Sequence, residues 1–465
     1  MTQLNLKHVE VEPAEFAKVE QPALDYLFGR KVTAKVFFLL CLLMVFDFAD
    51  RMIIASILPY IQKDWGISDA QAGLLSSILT LGMVLFAFPV SMLIKRYGRI
   101  KVASLMGIFW GIASALGAFS SSLSQLATTR LFVGIGEAAY APASYSWIST
   151  AFPRRRLQLA LGIFSASQPI GMAVGIAFGG YVAQHYGWRH SLGLLAIPGI
   201  VVAFLLYRGR DYQSVLVHEH VVQTKRAQSG TTHSEISLAS SVPSRWTLIK
   251  QNWNAIRHTP SLLLTYVTMA VVTLQWIPVV FFLPSYLHRV HHLELAQASL
   301  MTSAFLLVGI LTLPLGGWVL DHLTQRFFKA KFYVSLVGYA LATIFYAIAF
   351  GFLTDLKLQF GLIVLAGAVL SFCSSGPLSL TQELVPVSAR TLSGTTSVMT
   401  IHLLGSIPGP FIAGLISDAY GISPALTVLP IISGIVALGL LGAALYFYPK
   451  DIAKVKHSHL EILKQ

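Results

Sequence analysis

Crossing the hydrocarbon core of a membrane takes about 20 consecutive, mainly apolar residues in a helix, and this chain provides such a stretch twelve times. The segments fall at about 36–58, 71–94, 102–121, 125–149, 157–182, 189–207, 262–284, 298–319, 331–352, 357–383, 391–416 and 422–447. They are apolar on most sides and lack strict alternation, so helices fit and a porin-like barrel does not. Only 11% of the 465 residues are charged, against 55% hydrophobic. Soluble proteins carry about 25% charged residues, and so little charge cannot cover a surface that faces water. The chain reads as an all-α polytopic membrane protein.

The formal net charge is +13. Its basic residues stand in short clusters between apolar runs, the pattern of cytoplasmic loops beside anionic lipid and not of a nucleic-acid surface. Connections after the even-numbered segments hold Lys95, Arg96, Arg99, Lys101, Arg154, Arg155, Arg156, Arg326, Lys329, Lys331 and Arg390; those after the odd-numbered ones hold Lys63, Arg189, Arg289 and Lys357. The positive-inside rule puts the first set and both termini in the cytoplasm. The expected location is the cell membrane, the inner one in a Gram-negative source, with membrane lipids as surroundings. Residues 1–34 carry Glu10, Glu12, Glu15, Glu20 and Asp25, unlike the basic start of a cleavable leader. Cys41 and Cys373 lie inside apolar runs and read as small core residues. No metal-ligand spacing, nucleophile elbow or phosphate loop stands out, so neither enzyme chemistry nor a metal or other cofactor is expected.

Five regions follow: a tail at 1–34, a six-helix bundle at 35–207, a cytoplasmic linker at 208–261, a second bundle at 262–448, and a tail at 449–465. The linker holds Gly230-Thr231-Thr232 and a Ser-rich run at 234–244, with Trp246 to Ile256 expected as an interfacial amphipathic helix. The halves echo each other. Ser91 to Arg99 after the second segment is matched by Gly317 to His322 at the end of the eighth, and Pro153…Arg156…Gly162 by Pro386…Arg390…Gly394. Duplication of this kind is a signature of transporter folds, with a site near the midplane between the halves. A monomer is expected.

Against this apolar background, Asp47, Asp50 and Arg51 are costly. A charge at the membrane centre costs roughly 2.5–3.5 kcal/mol on insertion scales and marks function or pairing. On a helix the three share one face. Arg130 and Glu137, seven residues apart in the fourth segment, also share a face. Asp50 and Glu137 come out roughly 21 and 18 Å from the cytoplasmic end, one layer of the membrane, with Arg130 further out. Three carboxyls face two guanidiniums. A network that only orders helix packing fits this count. So does an acid left to carry a proton, since burial and a neighbouring guanidinium act oppositely on a carboxyl, and so does coupling to another cation.

The layout resembles the major facilitator superfamily from about Lys35 to Tyr448. The resemblance is carried by Lys95-Arg96-Tyr97-Gly98-Arg99, by its second-half echo ending in Asp321, and by Arg130…Gly134-Ile135-Gly136-Glu137-Ala138. Asp50-Arg51 with Arg130…Glu137 is similar to two branches: the anion:cation symporters and the spinster-like lipid transporters. Leu58-Pro59-Tyr60-Ile61-Gln62 and Ile67-Ser68-Asp69 belong to the second likeness. The resemblance implies twelve helices in two pseudo-symmetric six-helix bundles. It implies Asp50 and Glu137 as proton sites, Arg51 and Arg130 as partners or ligands of a substrate anion, and Lys95, Arg99, Asp321 and Arg390 at the cytoplasmic gate. Ser91 and Lys95 replace the family's usual Gly and Asp, which removes an acid from that gate in the first half. Asp47 is an addition, either a second proton site or a counter-ion for Arg51. Gln168, before Pro169, and Gln275, before Pro278, are candidate cavity residues, because proline frees backbone groups that a ligand can satisfy. His402 is a candidate ligand or titrating group, with a helix-to-helix hydrogen bond as the plainer role.

The expected function is proton-coupled transport of a small organic or amphiphilic anion by alternating access. Spinster-like export of a lysolipid or sphingoid-type lipid is the alternative, and a non-transporting membrane sensor comes third.

Overall fold

The apolar segments all become helices, and the breaks between them fall where glycine, proline or a capping side chain dictates. The computed structural model describes residues 26–138, 140–211 and 245–462. Helix α1 is Arg30–Trp65, closed by Gly66 in the left-handed conformation. Helix α2 is Asp69–Tyr97, opened by a capping box between Ser68 and Gln71 that satisfies two otherwise unpaired backbone donors. Then come α3 (Arg99–Gly117), α4 (Leu123–Glu137), α5 (Tyr140–Ala151), α6 (Arg154–Tyr186) and α7 (Trp188–Tyr207). The second half holds α8 (Arg245–Arg257), α9 (Pro260–Val290), α10 (Leu295–Arg326), α11 (Ala330–Gly351), α12 (Leu356–Cys373), α13 (Ser375–Glu383), α14 (Arg390–Ile401), α15 (Pro408–Tyr420) and α16 (Ile422–Ile462). No strand occurs among the described residues.

Among these residues, eleven helices are long and apolar enough to cross a membrane. The twelfth crossing is the fourth, which divides into α4 and α5. Proline explains the division: Pro142 cannot donate to the Ala138 carbonyl, and its ring crowds that group. The tenth crossing divides likewise into α12 and α13, where Pro377 leaves the Cys373 carbonyl free to accept from Ser335 Oγ at 3.2 Å. The eleventh is α14 and α15 joined by a π-turn at His402–Ser406, followed by Pro408 and Pro410. All three spans stand where they are expected, each interrupted within its length. The fourth and tenth crossings break at matching places in the two halves, which the duplication explains.

Helix α8 forms where an interfacial helix was expected and docks on the second half. Asn252 Nδ2 donates to the Ser388 carbonyl at 3.1 Å, and Ser388 Oγ returns a bond to Asn252 Oδ1 at 3.0 Å. The Gly230 and Ser-rich segments of the linker lie outside the described residues, as do 1–25 and 463–465.

Glycines set the distance between helices. A Cβ at Gly171 or Gly175 in α6 would strike the backbone carbonyl of Val45 or Ala49 in α1. A Cβ at Gly134 in α4 would strike the Leu79 carbonyl in α2, and one at Gly136 the Trp110 side chain in α3. The glycine spacing of the fourth crossing is therefore what lets α4 lie directly on its two neighbours.

The halves meet along α6 with α10, α2 with α15, and α1 with α9. Ser303 Oγ donates to the Ala173 carbonyl at 2.7 Å, and the amide of Ala296 to Gln184 Oε1 at 2.8 Å. These contacts sit at the end of the bundle that carries the connections poor in basic residues.

Candidate functional site

Helices α1 and α4 run antiparallel, so the order of charges along one opposes the order along the other and the five groups sort into two layers. In the outer layer, Arg130 Nη1 lies 3.3 Å from Asp50 Oδ2, and its Nη2 donates to Ser114 Oγ of α3 at 3.1 Å. The Ser114 hydroxyl in turn donates to Asp50 Oδ1. Arg130 is 0% exposed and Asp50 4%, and the layer holds one charge of each sign.

The inner layer is unbalanced. Arg51 Nη2 donates to both oxygens of Asp47 at 3.1 Å, and Arg51 Nε stands 2.9 Å from Glu137 Oε2. That approach lies off the N–H axis, so neither oxygen of Glu137 gains a hydrogen bond. Asp47 is 0% exposed and Glu137 2%. The two carboxyls share the one Arg51 guanidinium, and a contact between carboxyls becomes attractive only when one of them holds a proton. Asp47, for which the sequence leaves open a second proton site or a counter-ion for Arg51, is thus the direct partner of Arg51. The Arg51 side chain is 15% exposed, the most open member of the cluster, and its guanidinium stacks on Phe48 at 4.5 Å.

The other candidates fall in several places. His402 opens the π-turn and shares a hydrogen bond of 3.2 Å with Ser406 Oγ. Gln168 lines a cavity of about 320 Å³ bounded by α6, α9, α10, α11, α12 and the end of α14, with Trp276 also in its wall. Gln275 is fully buried and donates to Thr343 Oγ1 of α11 at 2.9 Å, so its amide braces two helices of one half. Arg99 bonds Ser146 Oγ at 3.4 Å. Asp321 and Arg390 are exposed, and the Lys95 side chain lies outside the described residues. Asp211, at the start of the linker, accepts the Ile100 amide at 2.9 Å and so brings a carboxylate to the N-terminus of α3, beside the loop that lacks its usual acid.

Sequence reasoning missed a latch between the halves. Asp69 at the start of α2 accepts two bonds from Arg289 of α9, at 2.9 and 2.8 Å, one from Gln62 at 2.7 Å, and one from Ser417 of α15. Asp418 of α15 accepts the amides of Asp69 and Ala70 at 2.7 and 3.0 Å. Carboxylates at a helix N-terminus gain from the exposed N–H groups there. The available signal is opposite charge at the ends of spans: Arg289 counts among the loop cations and Asp69 belongs to the spinster-like stretch, and nothing in the sequence joins the two. A cavity of about 490 Å³ opens over this latch.

Two six-crossing halves with an internal duplication, buried ion pairs at mid-depth and a cavity between the halves define the architecture of a secondary transporter. The chain belongs to the Major Facilitator Superfamily, whose profile matches residues 40–401. It is 28% identical over 413 residues to a 4-hydroxybenzoate transporter of Pseudomonas aeruginosa, covering 84% of this chain and 88% of that one. It is 25% identical to a probable sphingolipid transporter, spinster homolog 1, of Arabidopsis thaliana, over 84% of this chain and 83% of the other. A D-galactonate transporter of Escherichia coli is 24% identical, over 86% and 92% of the two chains. Among solved structures, a bacterial homologue of the human lysosomal transporter spinster, in an inward-facing and occupied conformation, superposes with a TM-score of 0.72 at 20% identity, covering 91% of this chain and 97% of that one. That likeness bears on the fold.

Proposed function

We propose that this transporter moves an organic anion coupled to protons, by alternating access, with Asp47 and Glu137 as a shared proton site. The observation that carries the reading is the charge count of the inner layer. Two buried carboxyls face one guanidinium, and Glu137 has no hydrogen bond of its own. One proton between the carboxyls neutralises the layer and supplies the missing donor. Releasing it leaves a buried excess charge, which costs several kcal/mol, so proton occupancy and the arrangement around Arg51 are coupled. Arg51, partly open and held by two acids, can exchange one of them for the anion of a substrate once a proton arrives.

The positive-inside rule makes the latched end the outer one, so the cavity would face the cytoplasm, with Asp50 and Arg130 bracing α1 on α4 throughout. The named relatives that move 4-hydroxybenzoate and D-galactonate support an organic anion. The apolar walls of the cavity and the spinster relatives favour a second reading, an amphiphilic lipid anion. The test is uptake into vesicles of purified protein under an imposed pH gradient. Glu137→Gln should abolish concentrative uptake while leaving exchange of substrate across the membrane. A variant that still concentrates substrate on a pH gradient would remove Glu137 from the coupling role.

A further inference from the structure

We propose that the cavity over the Asp69–Arg289 latch is a second anion site, where a small free carboxylate on Lys63 and Arg289 competes with Asp69 and so favours opening of that end. The site rests on the transport reading only in that the halves must separate there. The duplication shows why an anion can act at this place. Ala70-Gln71-Ala72 at the start of α2 matches Ala296-Gln297-Ala298 at the start of α10, 226 residues on (296 − 70). Tyr186-Gly187 after α6 matches Tyr420-Gly421 after α15, 234 residues on (420 − 186). The contacts repeat with the residues. Asp418 of α15 accepts the amides of Asp69 and Ala70 at 2.7 and 3.0 Å, and Gln184 of α6 accepts the amide of Ala296 at 2.8 Å. Ser77 Oγ donates to the Ile407 carbonyl, and Ser303 Oγ to the Ala173 carbonyl. The two seams are therefore one design used twice, but their charges differ. Leu295 stands where α2 has Asp69, and Gln184 where α15 has Asp418. Leu58-Pro59 matches Leu283-Pro284, 225 residues on (284 − 59), which sets Asp64 against Arg289. Asp64 stays with its own half, accepting from Trp188 Nε1 at 2.7 Å and pairing with Arg189 at 3.3 Å. Arg289 crosses to the other half. Among the described residues, the ion pair between halves thus belongs to one seam, and the cavity of about 490 Å³ opens over that seam.

The unused hydrogen-bonding capacity of the cavity wall is mostly that of donors. Both oxygens of Asp69 are engaged, Oδ1 by Gln62 and Arg289 and Oδ2 by Arg289 and Ser417. Each oxygen of Asp418 holds one backbone amide. Arg289, by contrast, uses three of the five N–H groups of a guanidinium. Lys63, exposed in the last turn of α1, has no carboxylate partner among the described residues. A cation here would meet engaged carboxylates beside two positive side chains, whereas an anion meets open donors. Pro59 and Ile67 give an organic body an apolar side of the wall. At about 30 Å³ for a water-sized group, the volume admits a small acid together with water. A carboxylate on Arg289 replaces the bonds to Asp69, since the fork of a guanidinium suits either acid. Asp69 keeps Gln62 and Ser417. Once the halves part, Arg289 no longer has Asp69 as a competitor for the ligand. The anion then binds the open arrangement more strongly and draws the population toward it.

The test reads opening of the purified full-length protein in detergent through a single cysteine. Ser299 at the neutral seam is fully buried, and its hydroxyl has no hydrogen-bond partner, so Ser299→Cys should be tolerated in a background of Cys41→Ala and Cys373→Ala. Alkylation by N-ethylmaleimide is followed in sodium acetate and in sodium chloride at equal ionic strength and pH. Acetate should speed it by at least about threefold, short of the change on removing Arg289 altogether. Lys63→Gln, at an exposed position that does not endanger the fold, should bring the acetate rate down toward the chloride rate. Arg289→Ala should erase the difference between the two salts. Equal rates in the parent, a slower rate in acetate, or an acetate effect that survives Lys63→Gln would overturn the site, the last by placing the anion elsewhere, as at Arg51. The assay contains no proton gradient and no transported substrate. Its failure therefore leaves the Asp47–Glu137 proton site standing, and failure of pH-driven uptake leaves the acetate effect standing.

Discussion

Asp50→Asn and Glu137→Gln each remove one buried carboxylate, yet their effects on stability should differ by about 2 kcal/mol or more. Arg130 is 0% exposed, and Asp50 is its one carboxylate partner among the described residues, at 3.3 Å. Asparagine leaves a guanidinium buried without a counter-charge, a change that costs about 3–5 kcal/mol in buried pairs. The remaining acceptors, Ser114 Oγ and the Asp50 carbonyl at 3.1 and 3.4 Å, hold the figure toward the lower end. Glutamine at 137 has the opposite setting. Arg51 keeps both oxygens of Asp47 at 3.1 Å, the inner layer becomes one-to-one, and the new amide gives Asp47 a donor. The expected cost is about 1 kcal/mol or less. The assay is thermal unfolding of each purified variant in one detergent at neutral pH and one scan rate, because membrane proteins unfold irreversibly and apparent midpoints depend on the rate. Asp50→Asn should melt well below the parent and Glu137→Gln close to it. If Glu137→Gln falls as far as Asp50→Asn, the inner layer has no spare acid and the charge count behind the proton site is wrong.

Arg289→Ala should loosen the latch between the halves. With Arg289 about one-third exposed, its bonds to Asp69 are partly screened and contribute about 1–2 kcal/mol, five- to thirtyfold in the balance between closed and open. A cysteine replacing Ser299, which packs on Gly180 at the seam, should then be alkylated from outside faster by that factor in a background of Cys41→Ala and Cys373→Ala; an unchanged rate would show that the latch does not limit opening. Gly175→Val should lose about 1–3 kcal/mol by forcing α6 off α1, whereas Gly162→Ala, with open space around its Cα, should gain up to about 1 kcal/mol; melting points in the opposite order would mean that α1 and α6 can separate freely. Asp451→Ala removes the acceptor of the Ser261 amide at 2.9 Å and should cost about 1 kcal/mol at the start of α9, again read from melting.

Much of this architecture is legible in the residues because a membrane allows so few solutions. Long apolar stretches must be helices, and the count of twelve follows with no tertiary information. The breaks at Ala138, Ser374 and His402 are less legible. Pro142, Pro377 and Pro408 are visible, but proline in a membrane helix kinks or breaks according to what its neighbours offer the freed carbonyl, as Ser335 does for Cys373. Arg51, Arg130 and their three acids could be named as a cluster from depth alone. Their pairing could not, since antiparallel order assigns Asp50 to Arg130 and leaves Asp47 with Arg51 only when the rotation of α1 about its axis is known. Gln275 shows the same gap from the other side: its type and its proline neighbour suit a cavity, and a quarter turn of α9 carries it to Thr343 instead.

The duplication then explains why one half is charged and the other is not. Were both halves to carry an acid–guanidinium layer, each would need its own proton balance, and rocking would move two buried networks past each other. Here the second half keeps only the neutral Gln275–Thr343 bond at the position of Asp50–Ser114. Its internal packing is therefore indifferent to the proton, while that of the first half is sensitive to it through Asp47, Arg51 and Glu137. Proton arrival can then alter the packing of one half and leave this bond in the other as it was, a differential effect of the kind that coupling between proton and conformation requires.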